Sequence, residues 1–260
     1  MSAARILVVD LESQRGIVET FSLRPYAIGI DQVQTPSRIL CFAAKWYGED
    51  KIIFKSAWDD DDQDAYRRMM QAMWDLLNEA HFVVGWNSDR FDLQWFESEF
   101  LRLGMGRPAP YKSIDLIKAL KRWFKGGLMS MKLDWSARTV LKDRKTPHGG
   151  TDLWWDIRHG TRDEKRAARK IMREYNIHDV ELTDRLFEKY RPYLNINVAI
   201  YEEDSGIALR CTKCGSMNLK KDGVKHYNTL NSLYQIHRCK DCGGSSRGAQ
   251  VQARTPLRPV

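Results

Sequence analysis

Hydrophobic positions along the chain fall into runs of two kinds. Ile6, Leu7, Val8 and Val9 form a continuous apolar run that leads into Asp10, Leu11 and Glu12, and such a run predicts a strand buried on both faces. Residues 39–46 and 51–57 predict two further strands around the turn Tyr47-Gly48-Glu49-Asp50, and with the first they would make a three-stranded antiparallel meander. Residues 13–37 carry Pro25 and Pro36 without a clean period, so a loop-rich excursion with a short strand over 26–33 is expected. The second kind of run begins at residues 65–80, where Met69, Met73, Leu76, Leu77 and Ala80 keep helical spacing. The acids at 59–62 then suit capping and the helix dipole. Residues 82–86 predict another short buried strand, and residues 87–92 turn into a helix that runs to about residue 103. Helices and strands in this succession imply an α/β sheet with at least one parallel pairing. Further helices are expected over 113–124 and 132–141, with a flexible turn at Gly126-Gly127 between them. Residues 142–160 are polar and include Trp154 and Trp155, and a helical tract over 162–193 is expected to break near Asn176 and to end before Pro192.

Composition changes this picture in three ways. A length of 260 residues fits one large domain or a main domain with a small appendage, and 43% apolar residues with nine Trp supply a core. The net charge of +8 favours a polyanionic partner such as nucleic acid. No apolar run approaches the roughly 20 residues that span a bilayer, and the N-terminus lacks the apolar core of a signal peptide, so a cytoplasmic protein without a membrane partner is expected. Four of the five Cys fall in the last fifth of the chain. Cys41 stands alone in an apolar segment and reads as a small core residue, whereas the other four, in a reducing compartment, point to a metal.

Asp10 and Glu12 project from the same side of the first strand. Two adjacent acids repel unless a cation sits between them, and hard oxygen donors suit Mg²⁺ or Mn²⁺. Asp92 lies in Gly85-Trp86-Asn87-Ser88-Asp89-Arg90-Phe91-Asp92, at a strand-to-helix junction, with Asp89 as the capping candidate. Tyr175 and Asp179 are four residues apart and share one helix face, so the carboxylate can bind metal while the phenol orients a water. Near the C-terminus, Cys211-Thr-Lys-Cys214-Gly and Cys239-Lys-Asp-Cys242-Gly are separated by 24 residues. Two such knuckles present four thiolates to one tetrahedral Zn²⁺, their glycines permitting the tight turns, and a unit this small depends on its metal for folding. The module resembles a zinc ribbon. Lys213, Lys220, Lys221, Lys225, His226, Arg238 and Lys240, with Tyr227 and Tyr234, suit it to nucleic acid; a structural or protein-docking ribbon is the other reading. Residues 195–209 would link it to the main domain, the ribbon itself would span 210–243, and residues 244–260 would form a flexible basic tail.

In their order, Asp10-x-Glu12, Asn87 before Phe91-Asp92, and Tyr175-x-x-x-Asp179 make the chain resemble the DEDD 3′–5′ exonucleases of the ribonuclease H-like superfamily, over about residues 5–194. The tyrosine subtype, as in the proofreading domain of family B polymerases, is the most similar, because the histidine subtype needs His where Glu174 stands. Residues 113–116 and 132–134 look like the family's middle helices, while the 13–37 segment and the basic insert at 142–169 depart from the minimal pattern. The resemblance implies a mixed sheet flanked by helices over residues 1–194. It implies two Mg²⁺ or Mn²⁺ ions, about 4 Å apart, held by Asp10, Glu12, Asp92 and Asp179. Tyr175, with an ordinary pKa of about 10, would orient the attacking water. The reaction would be hydrolysis of single-stranded or frayed nucleic acid, DNA favoured over RNA, from the 3′ end to nucleoside 5′-monophosphates. Asn87 and Phe91 would hold the terminal nucleotide, although Phe91 equally suits a core. Lys142, Arg144 and Lys145, with Lys165, Arg166, Arg169 and Lys170, would meet the strand's phosphates. Trp154 and Trp155 would stack bases, one of them instead entering the core. A polymerase or a replication or recombination protein would be the partner. Two other readings are an inert nucleic-acid-binding adaptor, against which the presence of all four acids and Tyr175 counts, and a structure-selective endonuclease on the same fold.

Overall fold

The structure, a computed structural model, describes residues 4–22, 25–124, 129–146 and 150–257; the expected Gly126-Gly127 turn lies outside them. A mixed α/β body is built on a five-stranded sheet of order β5-β4-β1-β6-β7, with β1 Ile6–Gln14, β4 Arg38–Trp46, β5 Ile52–Ser56, β6 Phe82–Gly85 and β7 Lys112–Asp115. The expected antiparallel meander is present, β1 pairing β4 and β4 pairing β5. Both β1–β6 and β6–β7 are parallel, a pairing that needs crossover connections of the kind α1 and α2 supply. The helices are α1 Gln63–Glu79, α2 Asp92–Arg102, α3 Leu116–Trp123, α4 Leu133–Ser136 with a π turn at Ala137–Leu141, α5 Thr151–His159 and α6 Arg162–Tyr190.

Alternation along β1 divides the core between the two faces of the sheet. Leu7, Val9 and Leu11 pack with Met70, Met73, Leu77, Phe96 and Phe100 of α1 and α2. Ile6 and Val8 pack with Leu120 of α3 and Leu182, Leu186 and Phe187 of α6. The even-numbered face of β1 therefore looks toward α6, and Asp10 continues it.

Several expectations need correction. The predicted helix over 113–124 begins with a strand: Lys112–Asp115 is too short and too closely followed by a helical pattern to stand out, but it closes the parallel edge of the sheet. The expected strand over 26–33 is replaced by a 3₁₀ turn at Ile30–Gln32, held by the Gly29 N–H on Gln32 Oε1 at 2.8 Å. Ser13 and Gln14 still pair with β4 as the end of β1, and beyond them the excursion forms the short pair of β2 Ile17–Val18 with β3 Val33–Thr35. The polar 151–159 stretch is helical. No break occurs at Asn176; its amide bonds across to Asp10 and leaves its own helix intact. Of the acids at 59–62, Asp62 does cap α1, accepting from the Ala65 N–H at 2.8 Å.

The C-terminal module is a three-stranded antiparallel sheet of β8 Leu219–Asn228, β9 Ser232–Cys239 and β10 Ser245–Arg254. The tail expected to be flexible from residue 244 is thus largely a strand. Its sequence lacks an apolar alternation because β10 gains its order from main-chain pairing with β9 rather than from burial. Residues 195–209 are not a free tether: Ile196 and Val198 enter the main core, Tyr201 stacks on His81 at 4.1 Å, and the Val198 N–H donates to Thr212 O at 2.8 Å. Among the described residues no helix is long and apolar enough to cross a membrane.

Candidate metal and nucleic-acid site

The site forms where β1 ends beneath α6. Carboxylate oxygens of Asp10, Glu12 and Asp179 lie within 4.8 Å of one another, which joins two of the three places the sequence singles out. Asp92 joins them through the backbone: its Oδ1 accepts the Leu11 N–H at 3.0 Å, between the two β1 acids. The turn that returns it there is tight, since a Cβ on Gly85 would sit 2.5 Å from that of Ser88, and Asn87 adopts a left-handed φ of 64°. Asn176 fastens Asp10 from the other side, its Nδ2 donating to Asp10 Oδ2 at 2.7 Å and to Asp10 O at 3.2 Å. Tyr175 is buried one turn before Asp179.

Burial raises all four acids, and repulsion from neighbouring carboxylates adds to it for Asp10, Glu12 and Asp92. Asp10 stands well above the ordinary carboxylate range because of burial, then Asp179, Asp92 and Glu12. Burial and Asp179 push Glu12 to about 8, against the pull of Lys145. Burial raises Asp92 to about 7 even though two backbone N–H groups favour its ionised form. Asp179 is raised by burial against the lowering pull of Lys145. Lys145 is the charge that partly offsets them: it is ion-paired with Asp179, and its Nζ lies 2.6 Å from Tyr175 Oη and 4.5 Å from that ring's centre. Burial, then Asp179, raises the Tyr175 phenol, so it stays protonated at neutral pH.

This cluster fits a hard divalent cation. Its donors are oxygens, it carries more negative than positive charge, and Asp179 Oδ1 is buried without a hydrogen-bond partner among the described residues. A consequence can be measured. An acid whose folded pKa is raised contributes most to folding below its unfolded value and loses that contribution as pH rises toward its folded value. Glu12 does so from 4.5 to about 8. In chelator at pH 8, Glu12→Gln should raise the Tm, by about 2–4 °C for each kcal/mol of repulsion relieved, and should do little at pH 4; equal gains at both pH values would contradict the cluster's electrostatics.

Around this centre the other sequence candidates are distributed unevenly. Phe91, at the start of α2, is 39% exposed and touches Trp95 edge-on, so it is not a core residue. The Asn87 N–H donates to Asp115 Oδ1 at 3.0 Å. Asp115, not Asp89, provides a helix cap, accepting also from Ile117 N–H; Asp89 instead binds Ser113 and Lys118. Lys142 and Arg144 are exposed, whereas Lys145 lies among the acids instead of on the cationic surface. Arg166, Arg169 and Lys170 are engaged with Asp163, Asp59 and Glu174, which makes that cluster a solvated, ion-paired face. Trp154 packs inward with its Nε1 on Ser13 O at 3.1 Å, while Trp155 stays outside. Sequence reasoning missed the role of Asn176; its place beside Tyr175, on the helix face turned to Asp10, was the available signal.

The second constellation lies in the C-terminal module. The four Sγ atoms of Cys211, Cys214, Cys239 and Cys242 lie within 4.8 Å of one another. The two knuckles share one geometry: Gly215 and Gly243 take left-handed φ values of 79° and 73° and donate to Cys211 O and Cys239 O. This donor set could hold a soft or borderline metal such as Zn²⁺.

A model of the RNase H superfamily matches residues 29–191, and the chain belongs to that superfamily. The matched span contains Asp92, Tyr175 and Asp179 and begins after β1. The fold is also similar to the solved structure of the family B DNA polymerase from the hyperthermophilic archaeon Pyrobaculum calidifontis, with a TM-score of 0.54 and 17% identity over 90% of this chain and 32% of the polymerase. The chain thus spans about a third of that polymerase's length. No curated protein matches the chain. The family model and the fold comparison agree on a ribonuclease H-like α/β domain.

Proposed function

We propose that the chain is a metal-dependent 3′–5′ exonuclease of the tyrosine subtype, acting on single-stranded or frayed nucleic acid, DNA in preference to RNA. The observation that carries this reading is the convergence of Asp10, Glu12 and Asp179 within 4.8 Å, with Asp92 bonded to the same strand and Tyr175 one turn away on α6. Asp10, Glu12, Asp92 and Asp179 would hold two Mg²⁺ or Mn²⁺ ions, which supply Lewis-acid activation of water and of the scissile phosphate. The chain's own groups do the rest. Tyr175, protonated at working pH, orients the attacking water as a hydrogen-bonding group rather than as a base. Lys145, protonated and engaged with Asp179, favours the ionised form of that carboxylate against its burial. Asn87 and the exposed ring of Phe91 border Asp92 and hold the terminal nucleotide; Lys142 and Arg144 meet phosphates from the rim. The four cysteines hold one Zn²⁺ in a ribbon whose exposed Lys220, Lys221, Lys225 and Arg238 add to the grip on the strand. The chain would act alone or beside a polymerase or recombination protein.

The test is digestion of a 5′-labelled single strand with Mg²⁺ or Mn²⁺. A ladder that shortens from the 3′ end, with nucleoside 5′-monophosphates as product and a circular strand left intact, is the expected result. Degradation of the circle would replace end-dependent cleavage with endonuclease activity, and an intact linear strand would leave a binding adaptor.

A further inference from the structure

We propose that the groove between α5 and the end of β1 is a nucleobase subsite, in which one unpaired base of the substrate strand stacks on Trp155. This rests on the nuclease reading and extends it to how an unpaired strand is chosen. Trp155 is the most exposed tryptophan among the described residues, at 62%, so burial in the core does not account for it. Its ring is backed by His159, with centroids 4.1 Å apart. The cavity beside it measures about 300 Å³ and is lined by Gln14, Arg15, Trp154, Trp155, Arg158 and His159.

Three features tie the groove to a nucleic-acid strand. It is anchored to the strand that bears the acids: Trp154 Nε1 donates to Ser13 O at 3.1 Å and Gln14 Nε2 reaches Trp154 O at 3.5 Å. At roughly 3.4 Å of rise per residue, Gln14 stands about 7 Å beyond Glu12 along β1. Its charge suits a phosphate. Arg15 and Arg158 line the groove; Arg15 lies over the Trp154 ring at 5.2 Å, and Arg158 shares the carboxylate of Asp60 with Arg38 of the neighbouring pocket, each at 2.8 Å. Against Arg15 and Arg158 stands Asp152 in the lining, while Asp60 behind Arg158 is shared with Arg38, so the lining itself is net positive. Lastly, an aromatic face beside cations takes any base that offers its own face. A base within a duplex is stacked on both sides and offers none, so the subsite selects unpaired strand.

Equilibrium binding in EDTA tests this without hydrolysis, using fluorescein-labelled oligothymidylate as probe and comparing the native chain with Trp155→Ala and Trp155→Phe. Trp155→Ala should bind about tenfold more weakly, the loss expected of one base–aromatic stack. Trp155→Phe should retain most of the affinity, and a duplex of equal length should not distinguish the three proteins. Photocrosslinking through 5-bromouracil should mark the 151–159 peptide. Unchanged affinity of Trp155→Ala, or crosslinks confined to other peptides, would overturn the subsite. The two readings fail separately. A native chain that cleaves in Mg²⁺ while Trp155→Ala binds undiminished removes only the subsite. Trp155-dependent binding without cleavage in Mg²⁺ or Mn²⁺ keeps the subsite and removes the nuclease.

Discussion

Asp10→Ala should abolish hydrolysis of a 5′-labelled single strand, lowering the rate on the order of 10³-fold or more with Mg²⁺ or Mn²⁺. The size follows from position. Losing an outer-shell partner of a metal ligand already costs roughly 10–100-fold, and Asp10 is the acid that the other three all raise. Removing it takes away a ligand and unfastens Asn176, whose Nδ2 keeps only the weaker bond to the main-chain oxygen. The fold should survive, because the apolar residues around Asp10 carry the packing: Leu7, Val8, Val9 and Leu11 are buried on the two faces of β1 while Asp10 itself is partly exposed. Relief of repulsion should even raise the Tm in chelator, for the reason given for Glu12. Inactivity with an intact or raised Tm is therefore the signature of the metal site. Activity equal to that of the native chain would refute the assignment of Asp10, and a collapsed Tm would show that its carboxylate is structural.

The parts of this arrangement that the sequence made legible are those written in local periodicity. The alternation of β1 announces which way Asp10 and Glu12 face, a four-residue interval puts Tyr175 and Asp179 on one side of α6, and each C-x-x-C-G closes its own turn. What was hidden depends on partners distant in sequence. Lys145 reads as one more surface cation until the fold sets it against Asp179, 34 residues away on α6. Lys112–Asp115 is a strand because β6 lies beside it, not because its four residues alternate. Asp89, expected to cap α2, binds Ser113 and Lys118 instead, and Asp115 caps α3 because the short β7 shifts the start of that helix to Leu116. β10 has little periodic signal, since only Ser246 and Gly248 near its start are even half-buried and the rest of both faces is open. The superfamily model behaves in a similar way, matching residues 29–191 and leaving out the strand that bears the first two acids.

Cys211→Ser should unfold the C-terminal module while leaving the α/β body folded. Beyond Leu209, the buried residues among those described are Cys211, Gly215, Ser232, His237, Cys239 and Gly244; no Leu, Ile, Val, Phe or Trp is among them. At about 25 cal/mol per Å² of apolar surface, so little burial cannot offset the ordering of three strands, each residue of which costs roughly 1–2 kcal/mol in backbone entropy. A structural Zn²⁺ contributes apparent binding energies of about 10–16 kcal/mol, far more than this sparse burial, and the four sulfurs are already gathered for it. The body, with separate cores on the two sides of its sheet, has no such dependence. In the variant, zinc should fall from one equivalent per chain toward none. Trypsin should then cut at the Lys and Arg of residues 213–254 that the native chain protects, and the main thermal transition should move little. Chelation of the native chain should reproduce the cleavage pattern, and added Zn²⁺ should reverse it there but not in Cys211→Ser. A full equivalent of zinc in the variant, or a module that resists trypsin without metal, would mean that the four cysteines are not what holds these strands together.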